Sequence, residues 1–303
     1  MPRGVAKAGF RVYKSKPGPK PKSSPTSTEA AISYLADKMS SPVFVETTET
    51  DEQIDTKLRE RFEILDIMTA NAINGTARSL IVSGPGGVGK SFNVEKALAN
   101  WDPTETKYAI VKGFLRATAL YKTLYDNRHA GSVVVFDDAD AIFYDKDTLG
   151  LLKAVCDTTE RRRVFWGAET RMVSEKEGDI LPPSFIFDGT VIFISNIDFD
   201  VLIGRGHGLA PHLEALISRS HYIDCGMKSK RDYLIRIKQV VKQGLLDHLT
   251  ATQAKDVIDF IDDNADGLRE LSLRMARKIG DLRTSTATDW KRIAKITCCR
   301  NVK

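Results

Sequence analysis

The chain has 303 residues, of which 42% are hydrophobic and 28% are charged, values typical of a globular protein with one large domain or two modest ones. No apolar run approaches the roughly 20 residues of a membrane-spanning helix, and the N-terminus lacks the apolar core of a secretory signal. We therefore expect a cytoplasmic protein without a membrane partner. The four cysteines form no C-x-x-C pair, which favours reduced thiols over a zinc site.

The N-terminal segment carries the positive charge of the chain. The net charge is +5, and residues 1–28 contribute +7 through seven Lys or Arg and no acid, so the rest of the chain carries −2. Five prolines and few apolar residues predict that this basic tail is disordered. Its charge suits DNA binding, but a solvated tail or a docking peptide for another protein fits equally well. Residues 29–50 are predicted to form a linker with a short helix.

A complete phosphate-binding motif follows a helix predicted over residues 51–73. A buried strand from Ser79 to Val82 leads into a G-x-x-x-x-G-K-[ST] loop, and a helix leads out of it. The glycines let backbone N–H groups approach phosphate oxygens, Lys90 can reach the β- and γ-phosphates, and Ser91 can bind Mg²⁺. The sequence thus predicts a nucleoside triphosphate site. The predicted nucleotide-binding residues are Gly84, Pro85, Gly86, Gly87, Val88, Gly89, Lys90, Ser91 and Phe92.

Strand and helix patterns alternate beyond this loop. Further strands are predicted at residues 108–112, 132–136, 163–166, 190–195 and 221–225. Helices are predicted between them at residues 115–127, 147–158 and 209–219, and then without strands at 229–244, 251–264, 267–280 and 287–297. The pattern indicates an α/β fold, in which a parallel P-loop NTPase sheet with flanking helices (residues 51–226) precedes a small all-helical domain (residues 227–303).

Polar residues end two of the predicted strands. Asp137 and Asp138 follow an apolar strand at its carboxyl end, where ligands sit in parallel sheets. We predict that Asp137 holds Mg²⁺ together with Ser91, and that Asp138 orients or deprotonates the attacking water. Asn196 ends a later strand, where its amide suits the γ-phosphate or the lytic water. A simple Asx turn explains Asn196 equally well.

The ordered set of motifs resembles the AAA+ ATPases over roughly residues 51–300. The set comprises the phosphate loop, Asp137-Asp138, Asn196, Ser218-Arg219 and Gly267-Leu268-Arg269-Glu270-Leu271. The resemblance implies an ATP hydrolase that uses ATP and Mg²⁺, with the C-terminal helices as a lid domain.

Arginine roles follow from the same resemblance. Arg219 resembles the arginine finger of clamp loaders and replication initiators, with Arg205 as a competing candidate. Arg269 resembles the sensor-2 residue that contacts the γ-phosphate, with Arg274 as its competitor. Asn196 takes the sensor-1 role. A guanidinium group suits these tasks because its fork meets two phosphate oxygens at once.

The resemblance also implies a homo-oligomer, a hexameric or pentameric ring or spiral in which one subunit completes the site of the next. Asp138 stands where most AAA+ members have Glu, and its shorter side chain favours a slow, switch-like ATPase. We expect a role in DNA replication or recombination, as a loader, initiator or helicase-like protein. A protein-remodelling machine and a non-hydrolytic assembly switch are the alternatives.

Two segments are candidates for contact with a substrate. The insertion at residues 161–188 combines clustered arginines with Trp166, which suits a DNA backbone and a stacked base; a solvated insertion fits as well. Phe114 follows Lys112-Gly113 at the place of a pore loop, but the order of residues lacks the usual pore signature.

Overall fold

The computed structural model describes residues 44–167, 172–204, 208–285 and 288–300. The predicted tail, most of the predicted linker, residues 168–171 of the predicted insertion and Arg205 lie outside the described residues. The long helix α1 (Asp51–Ile73) comes first, and a capping box between Thr50 and Gln53 starts it. Its buried stripe includes Ile54, Leu58 and Phe62, at the spacing of one helical face.

The central sheet is formed by five parallel strands: β1 (Ser79–Ser83), β2 (Tyr108–Lys112), β3 (Val133–Asp137), β6 (Thr190–Ile194) and β7 (His221–Asp224). Their order across the sheet is β2-β3-β6-β1-β7. Every residue of β1, β3 and β6 is buried, as expected for interior strands with helices on both faces.

Helices alternate with these strands and cover the sheet. They are α2 (Lys90–Trp101), α3 (Ala117–Asp126), α4 (Lys146–Val155), α5 (Phe199–Gly204) and α6 (Ala210–Ile217). The phosphate loop joins β1 to α2. Asp137 ends β3, Asp138 comes directly after it, and Asn196 follows β6. Because parallel strands end at one edge, these polar residues meet at the carboxyl edge of the sheet.

A two-stranded antiparallel hairpin lies within the predicted insertion. It is formed by β4 (Arg163–Phe165) and β5 (Ser184–Ile186). Phe185 anchors it on α3, where its ring centroid lies 5.0 Å from that of Tyr121 and 5.4 Å from that of Tyr125. The hairpin is therefore packed against the nucleotide-binding sheet layer through aromatic contacts.

In the described residues, β7 is followed by four α-helices and by a π-helical turn (Val241–Leu245) that continues the first of them. The α-helices are α7 (Lys230–Val240), α8 (Ala251–Asp263), α9 (Leu273–Ser285) and α10 (Trp290–Cys298). One apolar cluster joins them to the sheet, since Val88 and Ile223 share it with Leu271 and Met275. Among the helices of the described ranges, none is both long and apolar enough to cross a membrane.

The predicted fold class is confirmed: a parallel sheet with flanking helices is followed by a helical segment. The helix predicted over residues 267–280 is wrong at its start, because it begins at Leu273. Leu268 instead forms an antiparallel bridge with Cys299, and the Arg269 N–H donates to the Cys298 carbonyl. Ser272 then caps the helix through the Met275 N–H.

Candidate nucleotide-binding site

A cavity of about 890 Å³ opens at the carboxyl edge of the sheet, between the phosphate loop, α1, α2 and the C-terminal helices. Its charged lining has more cations than carboxylates. The cations are Lys90, Lys96, Lys112, Arg236, Arg274 and Arg277, and the acids are Asp66, Asp137 and Asp138. This excess of positive charge suits a polyanionic ligand.

Lys90 begins α2 and lies at the centre of the loop. Its Nζ donates to the carbonyls of Gly84 and Pro85, at 2.6 and 2.8 Å, and to Asn196 Oδ1 at 3.1 Å. Burial lowers the pKa of Lys90 from 10.5 to about 8, because desolvation disfavours the ammonium form. The positive end of the α2 dipole points to the same place.

Ser91 and Asp137 form the predicted metal pair. Ser91 Oγ donates to Asp137 Oδ1 at 2.8 Å, so a hydroxyl and a carboxylate lie together beside the loop. Such oxygen donors are the ligands that Mg²⁺ prefers, and the residues present fit that ion.

Lys112, at the end of β2, was not predicted as part of this site. Its Nζ lies 3.1 Å from Asp137 Oδ2 and 2.6 Å from Glu95 Oε1. Hydrogen bonds to Glu95 and to Asp137 raise the pKa of Lys112. Lys112, two residues before the candidate substrate-contacting Phe114, thus contacts the candidate metal ligand, because β2 pairs with β3 in register at this point.

Asn196 connects the loop lysine to the second acid. Its Oδ1 accepts from Lys90, and its Nδ2 donates to Asp138 Oδ1 at 2.7 Å. Asp138 adopts φ 56°, a left-handed conformation that Asp tolerates better than most residues. The structure therefore brings Asn196 to the site.

The two candidate lid arginines lie in different surroundings. Arg274 lines the cavity, and its Nη1 lies 3.9 Å from where a Cβ on Gly86 would stand. Arg269 does not line the cavity, because its backbone is tied to Cys298 and Arg300 in the bridge that precedes α9. The competing candidate, Arg274, is therefore the arginine that the structure places beside the phosphate loop.

Arg219 lies at the other end of the sheet. It precedes β7, and its carbonyl accepts from Ser79 Oγ at the start of β1, whereas the phosphate loop follows the end of β1. Its guanidinium donates to the Ala215 carbonyl at 2.6 Å and lies 3.8 Å from Asp157 Oδ2. The length of β1, roughly 13 Å, separates its backbone from the loop of its own chain.

Arg236, on α7, is a cavity residue that the sequence analysis missed. Its Nε donates to the Val88 carbonyl at 3.2 Å, and its Nη1 donates to Gln239 Oε1 at 3.2 Å. The guanidinium carbon lies 3.3 Å from the centroid of the Phe62 ring, so α1, α7 and the loop meet at this side chain. Arg236 belongs to no sequence motif, and a single Arg in an amphipathic helix would be predicted to lie on the surface.

The other loop residues divide between cavity and core. Gly86, Gly87, Gly89 and Phe92 line the cavity, and the Phe92 side chain is exposed. Val88 instead packs its side chain into the apolar cluster, and its carbonyl accepts a hydrogen bond from Arg236.

The insertion also differs from the prediction. Arg162 is buried and donates to the carbonyls of Val155 and Gly189, and the Trp166 ring packs 5.5 Å from Tyr121. Both therefore support the fold. The exposed groups on β4 are Arg163 and Phe165, next to the exposed Arg161.

Comparison with known proteins finds one relative by sequence identity, a phage protein. No family model matches the chain. An uncharacterized 36.7 kDa protein of phage T4, from the nrdC-mobD intergenic region, is 37% identical over 258 residues, which cover 82% of this chain and 77% of that protein.

Solved structures with low sequence identity are also similar. A RuvB mutant of Thermotoga maritima is 14% identical with a TM-score of 0.44, covering 80% of this chain and 69% of that one. NtrX of Brucella abortus in complex with ATP is 11% identical with a TM-score of 0.39, covering 91% and 58%. The sheet order, the phosphate loop before α2 and the C-terminal helices against that loop are the architecture of AAA+ ATPases. This architecture makes the fold that of an AAA+ ATPase. Because of its 37% identity over 82% of its length, the chain belongs to the family of the phage T4 36.7 kDa protein.

Proposed function

We propose that the protein is a Mg²⁺-dependent ATP hydrolase that works as a homo-oligomer. The observation that carries this proposal is a set of hydrogen bonds that links the phosphate loop to Asp137 directly and to Asp138 through Asn196. Lys90 contacts Asn196, Asn196 contacts Asp138, and Ser91 contacts Asp137. A loop that bound nothing would not require two acids and an amide to converge on its lysine and serine.

Each of these side chains has a chemical task in the proposal. The backbone N–H groups of the loop and the Lys90 ammonium hold the β- and γ-phosphates. Ser91 and Asp137 hold Mg²⁺, which, when bound, neutralises charge on the phosphate oxygens. Asp138 orients the attacking water and accepts its proton, while Asn196 fixes the direction of that carboxylate.

Lys90 gives the first test. Isothermal titration of the full chain with ATP and Mg²⁺ should give saturable binding, and Lys90→Ala should abolish it. Lys96→Ala is the matched control, since Lys96 lines the same cavity but makes no contact with the loop carbonyls. Equal affinity of the wild type and Lys90→Ala would refute the assignment of the loop.

DNA is the proposed substrate, in replication or recombination. The exposed face of the hairpin supports it: the exposed Arg161 lies just before β4, the exposed Arg163 begins that strand, and Phe165 at its end is 64% exposed. Cations beside an exposed aromatic ring suit single-stranded nucleic acid.

The substrate is tested by the rate of ATP hydrolysis with single-stranded and duplex DNA over a range of salt. Stimulation should decline steeply with salt and should weaken in Arg163→Gln, but not in Arg292→Gln on the exposed face of α10. Stimulation by an unfolded protein instead, lost on replacing the exposed Phe114, would favour the protein-remodelling alternative.

A further inference from the structure

Arg236 is a buried cation with an incomplete set of partners. The residue is only 4% exposed, yet no carboxylate of the described ranges lies within ion-pair distance of it. Its Nε and Nη1 have acceptors, on Val88 and Gln239, whereas the described part of the chain supplies no acceptor for Nη2. Burial lowers its pKa from 12.5 to about 10, so the side chain is still charged at neutral pH.

Burial of an unpaired charge is unfavourable, and the contacts present offset it only in part. Phe62 supplies the face of an aromatic ring, and two neutral oxygens accept hydrogen bonds. Replacing such a buried ion with an apolar side chain of similar shape is often neutral or stabilising. An arginine at this position is therefore better explained by an anion that it meets than by the stability of the fold.

The position of Nη2 indicates where in the cavity such an anion would bind. It lies 3.4 Å from where a Cβ on Gly89 would stand, and Arg236 lines the cavity. Asn196 and Arg274 instead flank Gly86, at the other end of the loop. The two arginines thus approach the loop from different ends, with Val88 and Gly89 next to Arg236.

We propose that Arg236 is a nucleotide-binding residue, whose Nη2 donates to a phosphate that ATP and ADP share while its Nε holds the Val88 carbonyl. The inference rests on the proposed function, since it requires a nucleotide at the phosphate loop. Arg236 and Arg274 then divide the recognition of the ligand. Arg274 discriminates ATP from ADP, and Arg236 supplies affinity for both.

The test is isothermal titration of the full chain with Mg-ATP, Mg-ADP and inorganic tripolyphosphate. Arg236→Met keeps an apolar side chain that can pack on Phe62 and removes the charge. It should lower the affinity for all three ligands by about tenfold or more, the range for a hydrogen bond to a charged group. Arg274→Ala should lower the affinity for ATP but leave the affinity for ADP unchanged. Arg231→Met, on the same helix but paired with Asp51, should bind like the wild type.

The melting temperature without ligand separates recognition from a structural role. For Arg236→Met it should stay within about 2 °C of the wild type, because the charge adds little to the unliganded fold. If it falls further, Arg236→Lys decides: partial recovery of ADP affinity supports the proposal, and none overturns it. Unchanged ADP affinity in Arg236→Met, or a loss confined to nucleotides with tripolyphosphate unaffected, also overturns it. A wild type that binds none of the three ligands would instead defeat the proposed function.

Discussion

Burial of Lys90 links its proton to ligand binding. The pKa of Lys90 is about 8, and a phosphate prefers the ammonium form. Affinity for ATP should therefore be nearly constant below pH 8 and should fall above it, approaching tenfold per pH unit as binding has to take up a proton. Calorimetry from pH 7 to 9.5, in buffers of different ionisation enthalpy, measures both the affinity and the proton uptake.

Lys96→Gln is the control for this profile, because it removes a charge from the same cavity without touching Lys90. A flat affinity from pH 7 to 9.5 would contradict the expected proton linkage. Stability has the opposite sign over the same range. The unfolded chain binds more protons than the folded one between pH 8 and about 10.5, so Lys90 makes the free energy of unfolding rise with pH there.

At the scale of elements, the start of α9 is docked on the phosphate loop. The Leu273 N–H donates to the Gly87 carbonyl at 2.8 Å, and Gly87 has φ +75°. A Cβ on Gly87 would lie 2.7 Å from Ser272 Cβ. Gly87→Ala should therefore lower the free energy of unfolding by roughly 1–3 kcal/mol, through backbone strain and the lost contact.

Denaturant unfolding measures this difference. Gly150→Ala is the matched change, since Gly150 lies in α4 and its added Cβ would have nothing within 4 Å beyond its chain neighbours and the backbone of its own helix. There, alanine should stabilise the protein by roughly 0.5–1 kcal/mol, because it restricts the unfolded chain. Equal stability of the two variants would show that the docking contact contributes nothing.

These elements also show what the sequence could and could not predict. The alternation of strands and helices predicted the sheet, because buried parallel strands leave uninterrupted apolar runs such as Val133–Phe136. The start of α9 was misplaced because Leu268 and Leu271 have helical spacing, yet Leu268 is used in the bridge to Cys299. Whether Leu268 joins a helix or a bridge is decided by the packing of Cys299, which is distant in sequence.

The candidate site was predictable to the same extent. Lys90, Ser91, Asp137 and Asn196 belong to local motifs, and the fold brings them into contact. Lys112 and Arg236 belong to none. They reach the cavity because β2 pairs with β3 and because α7 packs on α1. Neither contact can be predicted from a short stretch of sequence.

At the scale of the whole molecule, the place of Arg219 favours action on a neighbouring subunit. Arg219→Ala should leave ATP affinity unchanged and should lower the rate of hydrolysis by about 10³, the range known for arginine fingers. Mixing it with Asp138→Asn should restore part of the rate, because some interfaces then combine an intact Arg219 with an intact Asp138.

If Arg219 completes the site of a neighbouring subunit as proposed, hydrolysis should also rise more than linearly with protein concentration. Titrating one variant into the other at fixed total concentration measures the rescue. No recovery at any ratio would argue that Arg219 serves its own chain, or serves only the contact with Ala215 and Asp157.

Val88 and Ile223 lie in one continuous apolar cluster with Leu271 and Met275. A ligand that repositions the phosphate loop must therefore repack side chains of α9 as well. Dense interiors change by switching between discrete arrangements rather than by stretching. In the proposed oligomer, a ligand in the cavity would thus change the packing of the C-terminal helices, and a neighbouring subunit could respond to that change without contacting the nucleotide.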